Sequence, residues 1–127
     1  MNKEGFKFMT DNKKLGNWGE KLAENYLTKK GYCLLDRNYR SGRTEIDLIF
    51  QTKNIFVFVE VKTRVKTTES EQEAPITSKQ IKILRRAMLV YCLKNKINLN
   101  RVRLDLIFIL KDKKTSRAVL KHYLDIL

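Results

Sequence analysis

The sequence predicts a mixed domain of helices and strands, of the α/β or α+β class. The length of 127 residues supports one domain with a single hydrophobic core. An apolar fraction of 43%, with one Pro and five Gly, excludes a chain disordered throughout and a scaffold built of loops. Helical and strand patterns follow one another in the order α-β-β-β-α-β, with a last strand or short helix. We therefore expect a single domain over residues 12–127.

The first helix is predicted from about Asn12 to Lys30 by an apolar stripe with a period of 3.6 residues. The preceding residues 1–11 are polar and basic without a period, which predicts a flexible basic arm. Gly19 lies on the apolar stripe, where close packing against a sheet would explain it. Glu20 lies at the edge of the stripe, from which it could reach across the rim of a core.

The strands are predicted from β-branched and aromatic residues between turn signals. The strongest one is apolar on both faces through Val59 and is expected at the centre of the sheet, whereas the first has the mixed character of an edge strand. The predicted ranges are Tyr32–Tyr39, Glu45–Phe50, Ile55–Thr63, Val102–Leu110 and a final strand or helix over Ala118–Leu127.

The second helix is predicted to follow a polar stretch at 65–75, which we expect to be a mobile loop. Thr77 and Gln80 have the spacing of a capping box, which places the helix start just after Thr77. The apolar positions of this helix continue to about Lys94.

The charge of the chain predicts a polyanionic partner. Lys and Arg number 27 and Asp and Glu 14, which gives a net charge of +13. Such a balance is typical of proteins that bind nucleic acid or an anionic membrane surface. The predicted helices lack the exposed aromatic face of a membrane-surface helix, so we expect nucleic acid, with DNA preferred, and no membrane partner.

The cysteines and the single histidine indicate no structural zinc site. Cys33 and Cys92 are far apart in the sequence, and His122 is the only histidine. We expect two buried free thiols, a structural or surface role for His122 and a cytoplasmic location. No run of 18 apolar residues and no apolar leader is present, so neither a transmembrane helix nor a secretory signal is expected.

Carboxylates within two neighbouring strands are the most informative feature. Asp47 and Glu60 are 13 residues apart across one predicted turn, so a hairpin would bring them nearly opposite each other. Opposed like charges destabilise a sheet, and Lys62, on the same face as Glu60, compensates only one of them. Ion pairs at a sheet margin are one interpretation, as they are for Asp105 with Arg103 or a neighbouring Lys.

A divalent cation is the other interpretation. Mg²⁺ prefers carboxylate and other oxygen ligands, which Asp47, Glu60 and the backbone carbonyl of Val61 would supply. Lys62 would hold an attacking water or stabilise a pentavalent phosphate, and Glu20 would add a ligand directly or through water. This set predicts hydrolysis of a phosphodiester bond. Phosphate contacts are expected from basic residues near the site, namely Arg40, Arg43, Arg64, Lys66 and Lys79.

Several segments, in the same order and spacing over roughly residues 12–125, resemble the UPF0102 (YraN-like) family of bacterial proteins. The segments are Gly16-Asn17-Trp18-Gly19-Glu20, Gly31-Tyr32, Arg37-Asn38-Tyr39-Arg40, Glu45-Ile46-Asp47-Leu48-Ile49, Phe58-Val59-Glu60-Val61-Lys62-Thr63-Arg64 and Arg103-Leu104-Asp105. That family is similar to the PD-(D/E)xK nuclease superfamily and to archaeal Holliday-junction resolvases. Ile46 stands here where the superfamily name has Pro.

The resemblance implies a restriction-endonuclease-like α/β fold, with an α-β-β-β-α-β core and a mixed central sheet flanked by helices. It implies a Mg²⁺ or Mn²⁺ site in which Asp47 is the motif acid, Glu60 and Lys62 form the Glu-x-Lys pair, and Glu20 is the acid of the first helix. The expected activity is a metal-dependent DNA endonuclease, with selectivity for branched or junction DNA and a homodimer as open possibilities. The alternative is a non-catalytic nucleic-acid-binding protein that keeps this fold.

Overall fold

The architecture is a five-stranded sheet with one helix on each face. The computed structural model describes residues 3–66, 76–115 and 117–127, with side chains from Asn12 onward. The elements are α1 (Lys3–Lys29), β1 (Cys33–Ser41), β2 (Thr44–Thr52), β3 (Ile55–Lys66), α2 (Ser78–Asn95), a 3₁₀ turn (Leu99–Arg101), β4 (Val102–Asp112) and β5 (Ala118–Tyr123). The predicted mixed α/β class and the order of its core elements are confirmed.

The strands lie in the sheet in the order β1-β2-β3-β4-β5. Neighbours are antiparallel except β3 and β4, which are parallel and are joined by a crossover that contains α2. The strand predicted as central is the middle strand β3, and the predicted edge strand β1 lies at the edge. The final segment, predicted as a strand or a helix, forms the strand β5.

The core has one layer on each side of the sheet, because alternate strand residues point to opposite faces. Buried residues on the side of the first helix form the α1-face cluster: Ala23, Leu27, Leu48, Phe50, Val57, Val59, Ile107 and Ile109. Those on the side of the second helix form the α2-face cluster: Ile46, Ile49, Phe58, Leu84, Ala87, Met88, Tyr91, Cys92 and Leu104. The sheet is therefore covered on both faces.

Local hydrogen bonds and a glycine mark the start of α2 and the end of α1. Thr77 and Gln80 form the predicted capping box at the start of α2, with the Gln80 backbone N donating to Thr77 Oγ1 at 3.1 Å and Thr77 N donating to Gln80 Oε1 at 3.0 Å. After α1, Gly31 has a φ of +96°, a left-handed conformation that glycine adopts without steric cost. Neither helix, over the part of the chain that the structure describes, is long and apolar enough to cross a membrane.

Three predicted features differ in the structure. The first helix begins at Lys3 rather than Asn12, so the backbone of residues 3–11, predicted as a flexible arm, is helical; once a helix has nucleated, its extension needs no apolar stripe. Strand β3 continues to Lys66 because β4 pairs with it that far, so the predicted mobile loop at 65–75 overlaps the strand, and its residues 67–75 lie outside the described residues. Cys33 is exposed, since it opens an edge strand, while Cys92 is buried as expected.

Helix α1 approaches β3 most closely at Gly19. A Cβ atom at this position would overlap the hydroxyl of Thr63 and would lie 3.0 Å from Thr63 Cβ and 3.2 Å from its Cγ2. Both residues are buried, so neither has free space into which it could shift. Gly19 is therefore required by packing, as its position on the apolar stripe predicted.

Asp105 is the polar centre of the second half of the sheet. Its side chain is 0% exposed, and Arg103 donates two hydrogen bonds to it at 2.8 and 2.9 Å. His122 Nε2 lies 2.8 Å from Asp105 Oδ2, and the Asp125 backbone N donates to Asp105 Oδ1 at 2.9 Å. Burial alone would raise the pKa of Asp105, but the hydrogen bonds of His122 and Arg103 hold the pKa below its ordinary value. The predicted pairing with Arg103 is confirmed, and His122 has a structural role.

We expect Gly19→Ala to lower the free energy of unfolding by about 1–3 kcal/mol, because the added methyl group forces α1 away from β3. The matched control is Gly16→Ala, since a Cβ at Gly16 meets nothing within 4 Å. That change should be neutral or should stabilise the helix by up to about 1 kcal/mol. Urea denaturation measures both values, and equal effects at the two positions would contradict the close contact.

We expect Asp105→Asn to cost about 3 kcal/mol of unfolding free energy, since it leaves the Arg103 guanidinium partly buried without its counter-charge. Glu24→Gln is the control, because it removes a charge from the ion pair of Glu24 with Arg37. The side chain of Glu24 is 22% exposed and that of Arg37 is 60% exposed. An exposed pair of this kind should cost less than about 1 kcal/mol. Thermal denaturation compares the two variants, and a small effect of Asp105→Asn would show that the network is not a stability centre.

Candidate active site

The β2–β3 hairpin opens at Asp47. The ladder runs from the turn to the pair of Leu48 with Val59, and there it ends. The next position in the same register would place Asp47 opposite Glu60, as the sequence predicted. Instead of continuing the ladder, the Val61 backbone N donates a hydrogen bond to Asp47 Oδ2 at 2.8 Å. A side chain thus replaces a backbone partner at the end of the hairpin.

Strand β2 also changes its facing at Asp47. Ile46 packs in the α2-face cluster and Leu48 in the α1-face cluster, although regular alternation would put both on one face. Opposite this point in β1 lies Asn38, whose φ of +51° departs from strand geometry. The local irregularity separates β2 from β3 and leaves a gap between them. Since the N–H and C=O of one strand residue point to the same side, the carbonyl of Val61 faces this gap together with its N–H.

A pocket of about 630 Å³ occupies this region. It is lined from three elements, and its lining includes every residue predicted as catalytic or metal-ligating: Glu20, Asp47, Glu60, Val61 and Lys62. The close contact of α1 with β3 at Gly19 brings the adjacent Glu20 beside Glu45 and Asp47 of β2. The first helix also contributes Asn12, Leu15 and Gly16 to the pocket wall.

The tightest group of carboxylates includes one residue that was not predicted as a ligand. Oxygen atoms of Glu20, Glu45 and Asp47 all lie within 4.8 Å of one another, and all three side chains are half-buried. Glu60 adjoins the group, close enough to Asp47 for the two carboxyl groups to interact. The spacing of Glu45, two residues before Asp47 in one strand, was the signal that could have indicated it. Arg40 competes for Glu45, with its Nε 3.5 Å from the carboxylate.

The crowding of carboxylates changes their protonation. Burial, and next the hydrogen bond and the charge of Asp47, raise the pKa of Glu60 to about 9, although Lys62 and the Val61 backbone act in the opposite direction. Burial and the charge of Asp47 raise the pKa of Glu20 to about 7, with further contributions from their hydrogen bond and from Glu45. The charge of Lys62 therefore does not offset the burial and mutual repulsion of these carboxylates.

This set of donors fits a hard divalent cation. The candidate donors are carboxylate oxygens and one backbone carbonyl, with no cysteine or histidine among the described residues of the pocket, and Mg²⁺ and Mn²⁺ prefer such oxygen donors. Asp47 takes a central place, because it contacts Glu20, Glu60 and the Val61 amide. A cation bound there would offset the repulsion that raises the two pKa values.

The predicted phosphate-binding residues are distributed unevenly around the pocket. Arg64 is exposed and lines the pocket, with its Nη1 donating to the Thr63 carbonyl at 2.9 Å. Arg40 and Arg43 are exposed around the β1–β2 turn, and Lys66 is exposed at the end of β3. Lys79 is exposed in the first turn of α2, outside the pocket lining and on the helix that covers the other sheet face.

Most of the chain resembles proteins of one family. Residues 19–109 match the family described as Uncharacterised protein family UPF0102. A UPF0102 protein of Syntrophomonas wolfei is 37% identical over 84% of this chain and 92% of its own length. A UPF0102 protein of Flavobacterium psychrophilum is 34% identical over 92% of this chain and 96% of its own length. One of Clostridium tetani is 44% identical over 78% of this chain and 81% of its own length. The chain therefore belongs to the UPF0102 family.

Proposed function

We propose that this protein is a divalent-metal-dependent endonuclease that hydrolyses phosphodiester bonds in DNA. The observation that carries the proposal is the pocket in which Glu20, Asp47, Glu60 and Lys62 converge on a chain with a net charge of +13. A protein that only binds nucleic acid gains nothing from a group of carboxylates beside phosphates, since they repel each other. Carboxylates that hold a cation next to a lysine are suited to phosphodiester hydrolysis.

The metal would be held by Asp47 and Glu60, with the Val61 carbonyl as a third ligand and Glu20 as a further ligand directly or through water. Glu45 is close enough to join this set when it leaves Arg40. When bound, Mg²⁺ or Mn²⁺ supplies charge neutralisation and polarises the phosphoryl oxygens.

The remaining chemistry belongs to side chains of this protein. Lys62 is a point charge with three donors, and it would orient the attacking water and stabilise the negative charge that develops on the phosphate. Glu20 would accept the proton of that water as the new P–O bond forms and the bond to the leaving oxygen breaks. Arg64 at the pocket wall would bind a neighbouring phosphate, as an arginine fork does. The basic residues around the β1–β2 turn and the end of β3 would hold the rest of the polyanion.

We expect the protein to cleave DNA with Mg²⁺ or Mn²⁺ and not with EDTA. The substrates are supercoiled, linear, single-stranded and four-way-junction DNA, followed by gel electrophoresis. Asp47→Ala and Lys62→Ala should each reduce the rate by about 100-fold or more, because each removes a group that acts on the reacting phosphate. Lys94→Ala is the control for loss of one positive charge, since Lys94 is exposed at the end of α2.

Two outcomes would contradict the proposal. Undiminished cleavage by both Asp47→Ala and Lys62→Ala would show that the activity comes from elsewhere. Salt-sensitive binding without cleavage in any metal would instead favour the non-catalytic nucleic-acid-binding protein.

We expect the metal-free protein to become less stable as the pH rises from about 5 to about 9. The pKa of Glu60 is raised in the folded state to about 9 from an ordinary 4.5, so the folded state binds more protons than the unfolded state in this range. The melting temperature should fall by several degrees, and Mg²⁺ should raise it more at about pH 8 than at about pH 5. Glu60→Gln should flatten this dependence. If the melting temperature of Glu60→Gln falls with pH as steeply as that of the unsubstituted protein, Glu60 is not the source of the pH dependence.

A further inference from the structure

A second groove adjoins the acidic pocket. It has a volume of about 750 Å³, a size within the range of small-molecule and nucleotide sites. The two cavities share the lining residues Asn12, Leu15 and Val65, so they form one continuous depression along α1 and the ends of β3 and β4. Neither Lys62 nor any of the candidate metal ligands named above lines this groove.

The groove combines an aromatic ring with positive charge. Trp18 of α1 is half-buried against the α1-face cluster, and its ring also lines the groove. Lys111 Nζ lies 5.0 Å from the centre of that ring, which is a cation–π contact. Lys14 and Lys113 are exposed at the same groove. Among the described residues of its lining the one acid is Asp112, whose Oδ1 accepts a hydrogen bond from the Lys114 backbone N at 2.8 Å in a turn.

The register of the sheet fixes how far the groove lies from the site. Lys111 of β4 pairs with Val65 of β3, and Val65 is three residues beyond Lys62. Three strand residues span about 10 Å, so a single polynucleotide strand can occupy both cavities. Residues of α1 line both cavities.

We propose that this groove binds an unpaired nucleotide of the strand that enters the acidic pocket, with the base stacked on Trp18 in place of the Lys111 ammonium and the flanking phosphates on Lys14, Lys111 and Lys113. The proposal rests on the proposed function for the identity of the polyanion. In a continuous duplex each base face is covered by its neighbours, so a protein aromatic ring can stack only on a base that is free. The substrate class is therefore nucleic acid with a single-stranded segment beside the bond to be cut.

The experiment uses the fluorescence of Trp18, which is the only tryptophan in the chain. The protein is titrated in EDTA with oligo(dT), oligo(rU) and a blunt DNA duplex of equal charge. Oligo(dT) and oligo(rU) should both quench the fluorescence. The duplex should bind through charge, with little quenching. Because metal is absent, the result does not depend on cleavage.

Variants test the two parts of the groove separately, by fluorescence anisotropy of labelled oligonucleotides. Trp18→Ala should weaken single-strand binding by about 5- to 100-fold, as loss of one stacked base does, whereas Trp18→Phe keeps a ring and should lose less. Duplex binding by both variants should stay within about twofold, which also shows that they are folded. Lys111→Ala should weaken single-strand binding more than Lys94→Ala on the opposite sheet face.

Equal quenching by duplex and single strand, or unchanged single-strand affinity of Trp18→Ala, would overturn the proposal. These outcomes are distinct from failure of the proposed function. A protein that cleaves DNA but shows no Trp18 stacking keeps the endonuclease and loses this groove. A protein that stacks oligonucleotides on Trp18 but never cleaves keeps the groove and loses the endonuclease.

Discussion

The contact between Gly19 of α1 and Thr63 of β3 is the constraint on which the site depends. Because a glycine lies there, the helix backbone can approach the strand to a distance that no other residue permits. The approach sets the height of α1 above the sheet and hence the position of Glu20, the next residue, beside Asp47. The same helix turn directs Trp18 to the neighbouring groove. One missing side chain thus determines where an acid and an aromatic ring are placed.

The carboxylate cluster is located where the sheet can accommodate it. Strand β3 is paired with β4 along eleven consecutive residues, from Phe56 to Lys66, so its backbone is held even where β2 departs. Strand β3 loses its pairing with β2 only beyond Val59, and there the carboxylate of Asp47 accepts the hydrogen bond of the Val61 backbone N. Like-charged groups are costly in a folded protein unless a ligand or a proton offsets them, and such local cost is characteristic of functional sites. The Asp105 network shows the opposite arrangement, in which every buried charge has its partner.

Most of the fold and the central site residues could be predicted from local patterns. The alternation of Asp47, Glu60 and Lys62 across one turn gave their proximity, because hairpin register follows from the turn. Features that depend on tertiary packing or on irregular strand geometry were not predicted from these local patterns. Glu45 has the two-residue spacing of a same-face neighbour of Asp47, but its approach to Glu20 depends on how α1 packs against the sheet, which the strand pattern does not show. The start of α1 was missed since residues 3–11 have no apolar stripe to mark a helix. The contact of Lys111 with Trp18 depends on the register of the parallel strands β3 and β4. That register cannot be predicted from the sequence, because a long crossover connection does not fix it.

The parallel pairing of β3 with β4 has a consequence for how the chain folds. All the acids of the site lie within the first 60 residues, on α1 and the β2–β3 hairpin, and β4 is separated from them by the whole crossover. Contacts between segments distant in sequence form late, because loop closure must come first. A nascent chain that ends before β4 exposes the apolar edge of β3, and such an edge invites pairing with other chains. Completion of the sheet by β4 is thus the step that covers the exposed edge of the hairpin and fixes the strand that carries Glu60 and Lys62.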